Sequence, residues 1–135
     1  RGWGLKGARL KVTPDEETRF PLFQPQDLTG TGPDALVTLR PNQDLLTAVE
    51  EAAAEIGLRN ARILGLGSIV RPKLEGQPRI DSHATEILLT EGRIENGIAR
   101  IAVEIVTLTA SEHRGWIERG ENGICITAEL LLVAD

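Results

Sequence analysis

The chain has 135 residues and carries 15 lysines and arginines against 20 aspartates and glutamates, a formal charge of −5. With 41% apolar and 26% charged residues it has the balance of a folded domain, and its length suits one domain with enough core to need no staple. No apolar run is long enough for a transmembrane helix, and the acidic balance weighs against strong binding to nucleic acid, which runs on phosphate neutralisation.

The opening residues lack an apolar h-region, so no signal peptide is expected. Cys125 is the single cysteine, which excludes an internal disulfide and an all-cysteine metal site. A reducing, cytoplasmic setting is the simplest reading.

Residues 1–34 differ from the rest. They hold Trp3, Phe20 and Phe23 together with Pro14, Pro21, Pro25 and Pro33. Proline removes a backbone donor and fixes φ, so neither a long helix nor a central strand is expected there. Leu10-Lys11-Val12 reads as a short strand. The remainder reads as an arm or interdomain linker whose Phe20, Leu22 and Phe23 either dock or stay mobile. The absence of a starting methionine fits a piece of something longer.

From residue 35 the pattern becomes regular. Residues 35–40 alternate and stop at Pro41, as a strand does. Asn42 is placed to cap a helix and Asp44 to sit at its positive end. Leu45, Leu46, Val49, Ala53 and Ile56 recur at helical spacing, Glu50, Glu51 and Glu55 fall on the solvated side, and Gly57 can close the helix in the left-handed conformation. Residues 61–70 read as a strand interrupted by Gly65 and Gly67, where glycine marks a bulge or a close backbone approach. Residues 71–83 read as an irregular loop and 85–90 as a strand, with turn signals at Glu91-Gly92, Glu95-Asn96-Gly97 and Asn122-Gly123. Residues 98–109 alternate, with Ile101, Val103 and Ile105 on one side and Arg100, Ala102 and Glu104 on the other. The last strand, 124–133, is apolar on both faces and must be covered twice. One long helix covers one face, so a subunit interface is expected on the other. The element order gives an α+β fold, a mostly antiparallel β-sheet with one long helix packed on one face.

Residues able to do chemistry are few. Gly65-Leu66-Gly67-Ser68 is half of a dinucleotide loop, without a third glycine or a following helix. His83 and His113, with Glu86, Glu112 or Asp81, include metal-ligating types but lack ligand spacing, and no metal or other cofactor is expected. Ser68 or Ser111 could pair with a histidine as a nucleophile, but no nucleophile elbow surrounds either. Cys125, in an apolar strand, reads as a small hydrophobe. Glu129 sits either on the wet face of the sheet or in a pair with Arg62 or Arg100. Arg59, Arg62, Arg71, Lys73 and Arg79 form the one positively biased segment, a site of nucleic-acid contact or a solvated loop. Trp116 is the sole aromatic beyond the arm, so a base-stacking platform has little support.

The run Ala35-Leu-Val-Thr-Leu-Arg-Pro-Asn-Gln-Asp-Leu-Leu46, the helix, and Ala61-Arg-Ile-Leu-Gly-Leu-Gly-Ser68 together resemble the plants-and-prokaryotes conserved (PPC) domain family. Ala84-Thr-Glu-Ile-Leu-Leu-Thr-Glu-Gly92 and Thr127-Ala-Glu-Leu-Leu-Leu132 resemble its later strands, so the likeness spans about residues 35–133. Asp15-Glu-Glu-Thr-Arg-Phe-Pro-Leu-Phe23 and Arg40-Pro-Asn-Gln-Asp44 resemble the C-terminal unit of bacterial proteins with two such domains in tandem. The resemblance implies an arm or linker over 1–34, a PPC-like domain over 35–135, and a homotrimer. Bacterial members are usually labelled DNA-binding by analogy to plant relatives whose separate AT-hooks contact DNA. No AT-hook core occurs here. Many prokaryotic members carry alternating histidines on one strand and Gly-His-Leu on the next, whereas this chain has Ile98-Ala-Arg-Ile-Ala-Val103 and Gly115-Trp116-Ile117.

Two functions follow as expectations. The first is an oligomerising regulatory module without catalysis, its partners being itself and, weakly, DNA through Arg59, Arg71, Lys73 and Arg79. The second is a small-ligand site or enzyme at the subunit interface, built from Arg62, Gly65, Gly67, Ser68, Trp116 and Glu129.

Overall fold

The computed structural model describes residues 12–14, 16, 19, 21–23 and 34–135. Contacts divide the chain into two units, Arg1–Gly32 and Pro33–Asp135. In the first unit, β1 (Val12–Pro14) pairs antiparallel with β2 (Pro21–Phe23). Of the strand expected over 10–12, Val12 is in β1, and Leu10 and Lys11 lie outside the described residues. Its prolines are tolerated because a two-stranded ribbon is all edge. Trp3, Phe20 and the side chains of Leu22 and Phe23 lie outside the described residues.

The second unit is one six-stranded sheet with a single helix. Its elements are β3 (Ala35–Leu39), α1 (Leu45–Glu55), β4 (Ala61–Ile69), β5 (Thr85–Glu95), β6 (Ile98–Thr107), β7 (Glu112–Trp116) and β8 (Ile124–Ala134). The strand order is β3-β8-β4-β5-β6-β7, and every neighbouring pair is antiparallel.

Leu45, Leu46, Ala48, Val49 and Ala53 bury one side of α1. They join a core with Ile63, Ile94, Ile101, Leu130 and Leu132, all at most 1% exposed. The loop over 71–83 completes the cover with Leu74 and Ile80. Leu74 bridges to Ile117 beyond β7.

Several expectations need correction. Asp44, not Asn42, caps α1: its backbone is extended and its Oδ1 accepts from the Thr47 amide at 3.0 Å. Asn42 has φ 66°, outside the extended geometry a capping residue needs. Ile56 lies past the helix end and is 53% exposed. Gly57 does take the left-handed conformation, φ 75°.

Glu91-Gly92 is not a turn. The chain continues as one long β5, with a register shift between Leu89 and Glu91 that makes Thr90 the extra residue of a bulge. Gly92 is needed because a Cβ there would meet the Ile63 carbonyl and side chain. Asn96-Gly97 does form the β5–β6 turn, both residues having positive φ.

The Asn122-Gly123 turn is not seen. Asn122 is 1% exposed and joins three segments. Its Oδ1 accepts from the Lys73 amide, its Nδ2 donates to the carbonyls of Lys73 and Glu118, and its own amide donates to Asp44.

Glu50 is not on a solvated face either. Both its oxygens accept from Arg119, at 2.8 and 3.0 Å, and Oε1 also accepts from the Ala99 amide at 2.7 Å. Partial burial pushes this carboxyl up. The Arg119 fork and the Ala99 amide outweigh that and hold it below the ordinary glutamate value.

A candidate site on the helix-free face of the sheet

The side chains that alternate away from α1 form a face with no cover among the described residues. Its middle is apolar: Leu36, Leu64, Leu66 and Leu88 are 57%, 49%, 54% and 53% exposed. Register joins them, since Leu131 lies between Leu36 and Leu64, and Leu66 lies opposite Leu88. Acids flank Leu66 and Leu88 within their own row and continue along β5, and bases lie past Leu64. Glu129 lies opposite Leu66, and Glu104 opposite Leu88, while Glu86 is two residues further along β5. At the other end Arg62 lies opposite Arg93, and Arg93 opposite Arg100.

The arginine end is hollowed into a groove of about 370 Å³. Arg62, Thr90, Glu91, Arg93, Arg100 and Trp116 line it. The Arg100 guanidinium lies over the Trp116 ring, 4.5 Å from its centre. Arg100 also reaches Glu75 at 3.3 Å, and Arg93 reaches Asp135 at 3.5 Å. Among the described residues Arg62 makes no ion pair.

Of the six residues expected at a ligand cleft, the groove gathers Arg62 and Trp116. Gly65 and Gly67 lie in β4 close against β8, and a Cβ at Gly67 would sit 2.6 Å from Ala128 Cα. Ser68 is buried, and its Oγ accepts from the Ile126 amide at 3.0 Å across the irregular part of that pairing. Glu129 is exposed on the face itself, with no ion pair among the described residues. Register sets it opposite Leu66, four residues along β8 from the position opposite Arg62, so the two are not partners. The sequence reading offers Arg100 only as a partner for Glu129 and does not single out Arg93 or Thr90. The alternation of β6 already put Arg100 on this side, but Arg93 was hidden by the turn reading of Glu91-Gly92.

The basic segment is largely tied to acids of its own chain. Arg71 pairs with Asp81, Lys73 with Glu118 and Arg79 with Glu121. Arg59 precedes β4, and its carbonyl accepts from Gly97. Ser111 Oγ lies 3.3 Å from His113 Nε2, and 2.6 Å from Thr107 Oγ1. Cys125 Sγ lies 3.8 Å from the His83 carbonyl; burial first, then nearby Glu86, push its thiol up, away from the reactive thiolate. Among the described residues no three His, Cys, Asp or Glu side chains gather as a metal site would require.

Solved structures with the same architecture include a plant- and prokaryote-conserved (PPC) protein from Pyrococcus horikoshii. It matches with a TM-score of 0.66 and 16% identity over 77% of this chain and 80% of that one. The chain has a PPC-like fold. A protein from Bacteroides thetaiotaomicron provisionally named as DNA-binding matches with a TM-score of 0.64 and 18% identity, over 78% of this chain and 81% of that one. A hypothetical protein from Salmonella enterica matches at 0.61 and 18%, over 75% and 77%. No protein-family model and no curated protein matches the sequence. The PPC-like likeness therefore rests on architecture: a mostly antiparallel open sheet with one helix. No helix among the described residues is long and apolar enough to cross a membrane.

Proposed function

We propose that this PPC-like chain is an oligomerising, regulatory module without catalysis, and that copies associate through the helix-free face of the sheet. The observation that supports this is the leucine patch. Covering the exposed halves of Leu36, Leu64, Leu66 and Leu88 is worth about 1 kcal/mol each. A second copy is the favoured occupant because the face carries both signs around its leucines, with Glu129 and Glu104 flanking Leu66 and Leu88 in one row and Arg62, Arg93 and Arg100 forming another row past Leu64. Three copies is the number the resemblance implies. The chemistry agrees with a non-catalytic role: Ser68 spends its hydroxyl on the strand ladder, and the Cys125 thiol is pushed towards its protonated form. Contact with DNA through Arg59, Arg71, Lys73 and Arg79 is weak and salt-sensitive in this reading, since three of these cations already face carboxylates.

The test is molar mass by light scattering, for the native chain and for Leu66→Lys. Leu66 is 54% exposed in a single chain, so lysine is tolerated by the fold and opposed only by a covering partner. The expected result is three chain masses for the native protein and one for the variant, with unchanged circular dichroism. A native chain that runs as a monomer at about 100 μM overturns the proposal.

A further inference from the structure

The arginine row is the least explained feature of the molecule. Directly opposed side chains on one sheet face lie about 5 Å apart at Cβ, and like charges so placed are destabilising. Arg62, Arg93 and Arg100 are opposed in this way across three consecutive strands. Three features hold them there. Gly92 lets β5 run against Ile63 of β4, which a Cβ would prevent, and the bulge at Thr90 resets the face so that Arg93 and Arg100 share it. The ring of Trp116 holds Arg100 flat.

The acids that meet this row do not satisfy it. Arg93–Asp135 and Arg100–Glu75 are single long contacts between partners that are each more than 40% exposed. Pairs of that kind contribute about 0–1 kcal/mol and exchange readily. An incoming oxyanion could take bidentate bonds from the planar guanidinium forks, which are the stronger geometry. We propose that Arg62, Arg93 and Arg100, with the Thr90 hydroxyl, bind one oxyanion group of a small molecule, a carboxylate or a phosphate monoester.

Two further acids decide between a small ligand and a polyanion. Glu91 and Glu95 also line the groove and make no ion pair among the described residues. They repel an extended chain of phosphates but leave room for one oxyanion on the row, with a neutral or cationic remainder beside them. The volume of about 370 Å³ suits a molecule of that size. The site lies within one chain, so a monomer can bind the oxyanion, and because Leu64 also lines the groove molar mass is followed alongside binding.

The experiment is titration of the full chain with sodium phosphate, and separately with sodium acetate, at constant ionic strength set by chloride. It is followed by the arginine Nε–Hε resonances, with molar mass measured in the same buffers. Saturable shifts confined to Arg62, Arg93 and Arg100, with Arg114 and Arg79 unmoved, are the expected result. Tighter binding of phosphate assigns the phosphate monoester, and tighter binding of acetate the carboxylate. Arg93→Gln should weaken binding about tenfold and Arg93→Lys, which keeps the charge but loses the fork, several-fold. Glu91→Gln should tighten it. Shifts spread evenly over all arginines, no saturation by either anion, or an Arg93→Gln variant that binds like the native chain each overturn the proposal.

Discussion

Asn122 offers the sharpest test of how this fold is held together. Three side-chain hydrogen bonds join it to Lys73 and Glu118, at 2.8, 2.9 and 2.7 Å, and the residue is 1% exposed. Asn122→Ala deletes all three and leaves a backbone amide and two carbonyls to find water or go without. At about 1 kcal/mol for each bond the loss is about 3 kcal/mol, and any group left dry adds to it. For a domain near 100 residues this lowers Tm by roughly 12–24 °C. Asn122→Asp is the more discriminating variant. A carboxylate there has no N–H to give and faces two carbonyl oxygens, so its folded-state pKa is raised above its unfolded one. A raised carboxylate pKa destabilises above that value, and the penalty is removed as the pH falls through it. At pH 7 the aspartate variant should therefore be the less stable of the two, and urea midpoints measured down to pH 4 should converge as its protonated oxygen donates to one carbonyl. Other acid-sensitive contacts are common to both proteins and cancel in the difference. If the two midpoints differ by the same amount at every pH, or if Asn122→Asp matches the native chain, the amide is not the joint described here.

The Glu50–Arg119 clasp has its own pH signature. Glu50 titrates below the ordinary glutamate value in the folded chain, so its contribution is fully present above the unfolded pKa and is lost as the pH falls through the depressed one. Glu50→Gln should cost about 1–2 kcal/mol at pH 7 by chemical denaturation, and the gap to the native chain should close on acidification below the glutamate range; a gap independent of pH would show that charge is not what the clasp uses. In the β4–β8 pairing, Gly67→Ala should cost about 3 kcal/mol, because its Cβ would lie 2.6 Å from backbone that cannot swing aside, whereas Gly97→Ala meets open space and costs about 1–2 kcal/mol for the left-handed backbone alone. Equal losses in thermal melts would contradict the close approach.

The elements that were legible in the sequence are those whose own side chains specify them. Leu45, Leu46, Val49 and Ala53 mark α1 by spacing alone, and Ile101, Val103 and Ile105 mark the inner side of β6. The two apolar faces of β8 already implied a sheet side without a helix, and Leu64, Leu66 and Leu131 are found there. What the sequence hid depends on residues far apart in the chain. Asn42 and Asp44 are both capping residue types, and the choice between them follows from the left-handed backbone at Asn42. Glu50 looks solvated on a helical wheel because nothing local reveals Arg119, 69 residues later. The strand β7, Glu-His-Arg-Gly-Trp, is polar because it is an edge, so it lacks the apolar alternation that identifies strands. Glu91-Gly92 carries a turn composition that the chain uses instead for a bulge and a close approach. Arg62, Arg93 and Arg100 lie 31 and 7 residues apart in sequence, and only register makes them a row.

The leucine patch and the arginine row share one face, and Leu64 belongs to both the patch and the groove along the row. Arg62 is two residues from Leu64 along β4, about 7 Å at the rise of an extended strand. The row therefore borders the apolar patch rather than interrupting it. In an interface centred on Leu64, Leu66 and Leu88, that border is rim, which stays polar and open to water. Leu64 also lines the groove, so a copy docked over the leucines would narrow it. Were copies to associate as proposed, the leucines would be the apolar centre of the interface and the arginine row its basic border. The close passage of Gly92 against Ile63, which brings the arginines together, also keeps β4 and β5 tight under the leucines.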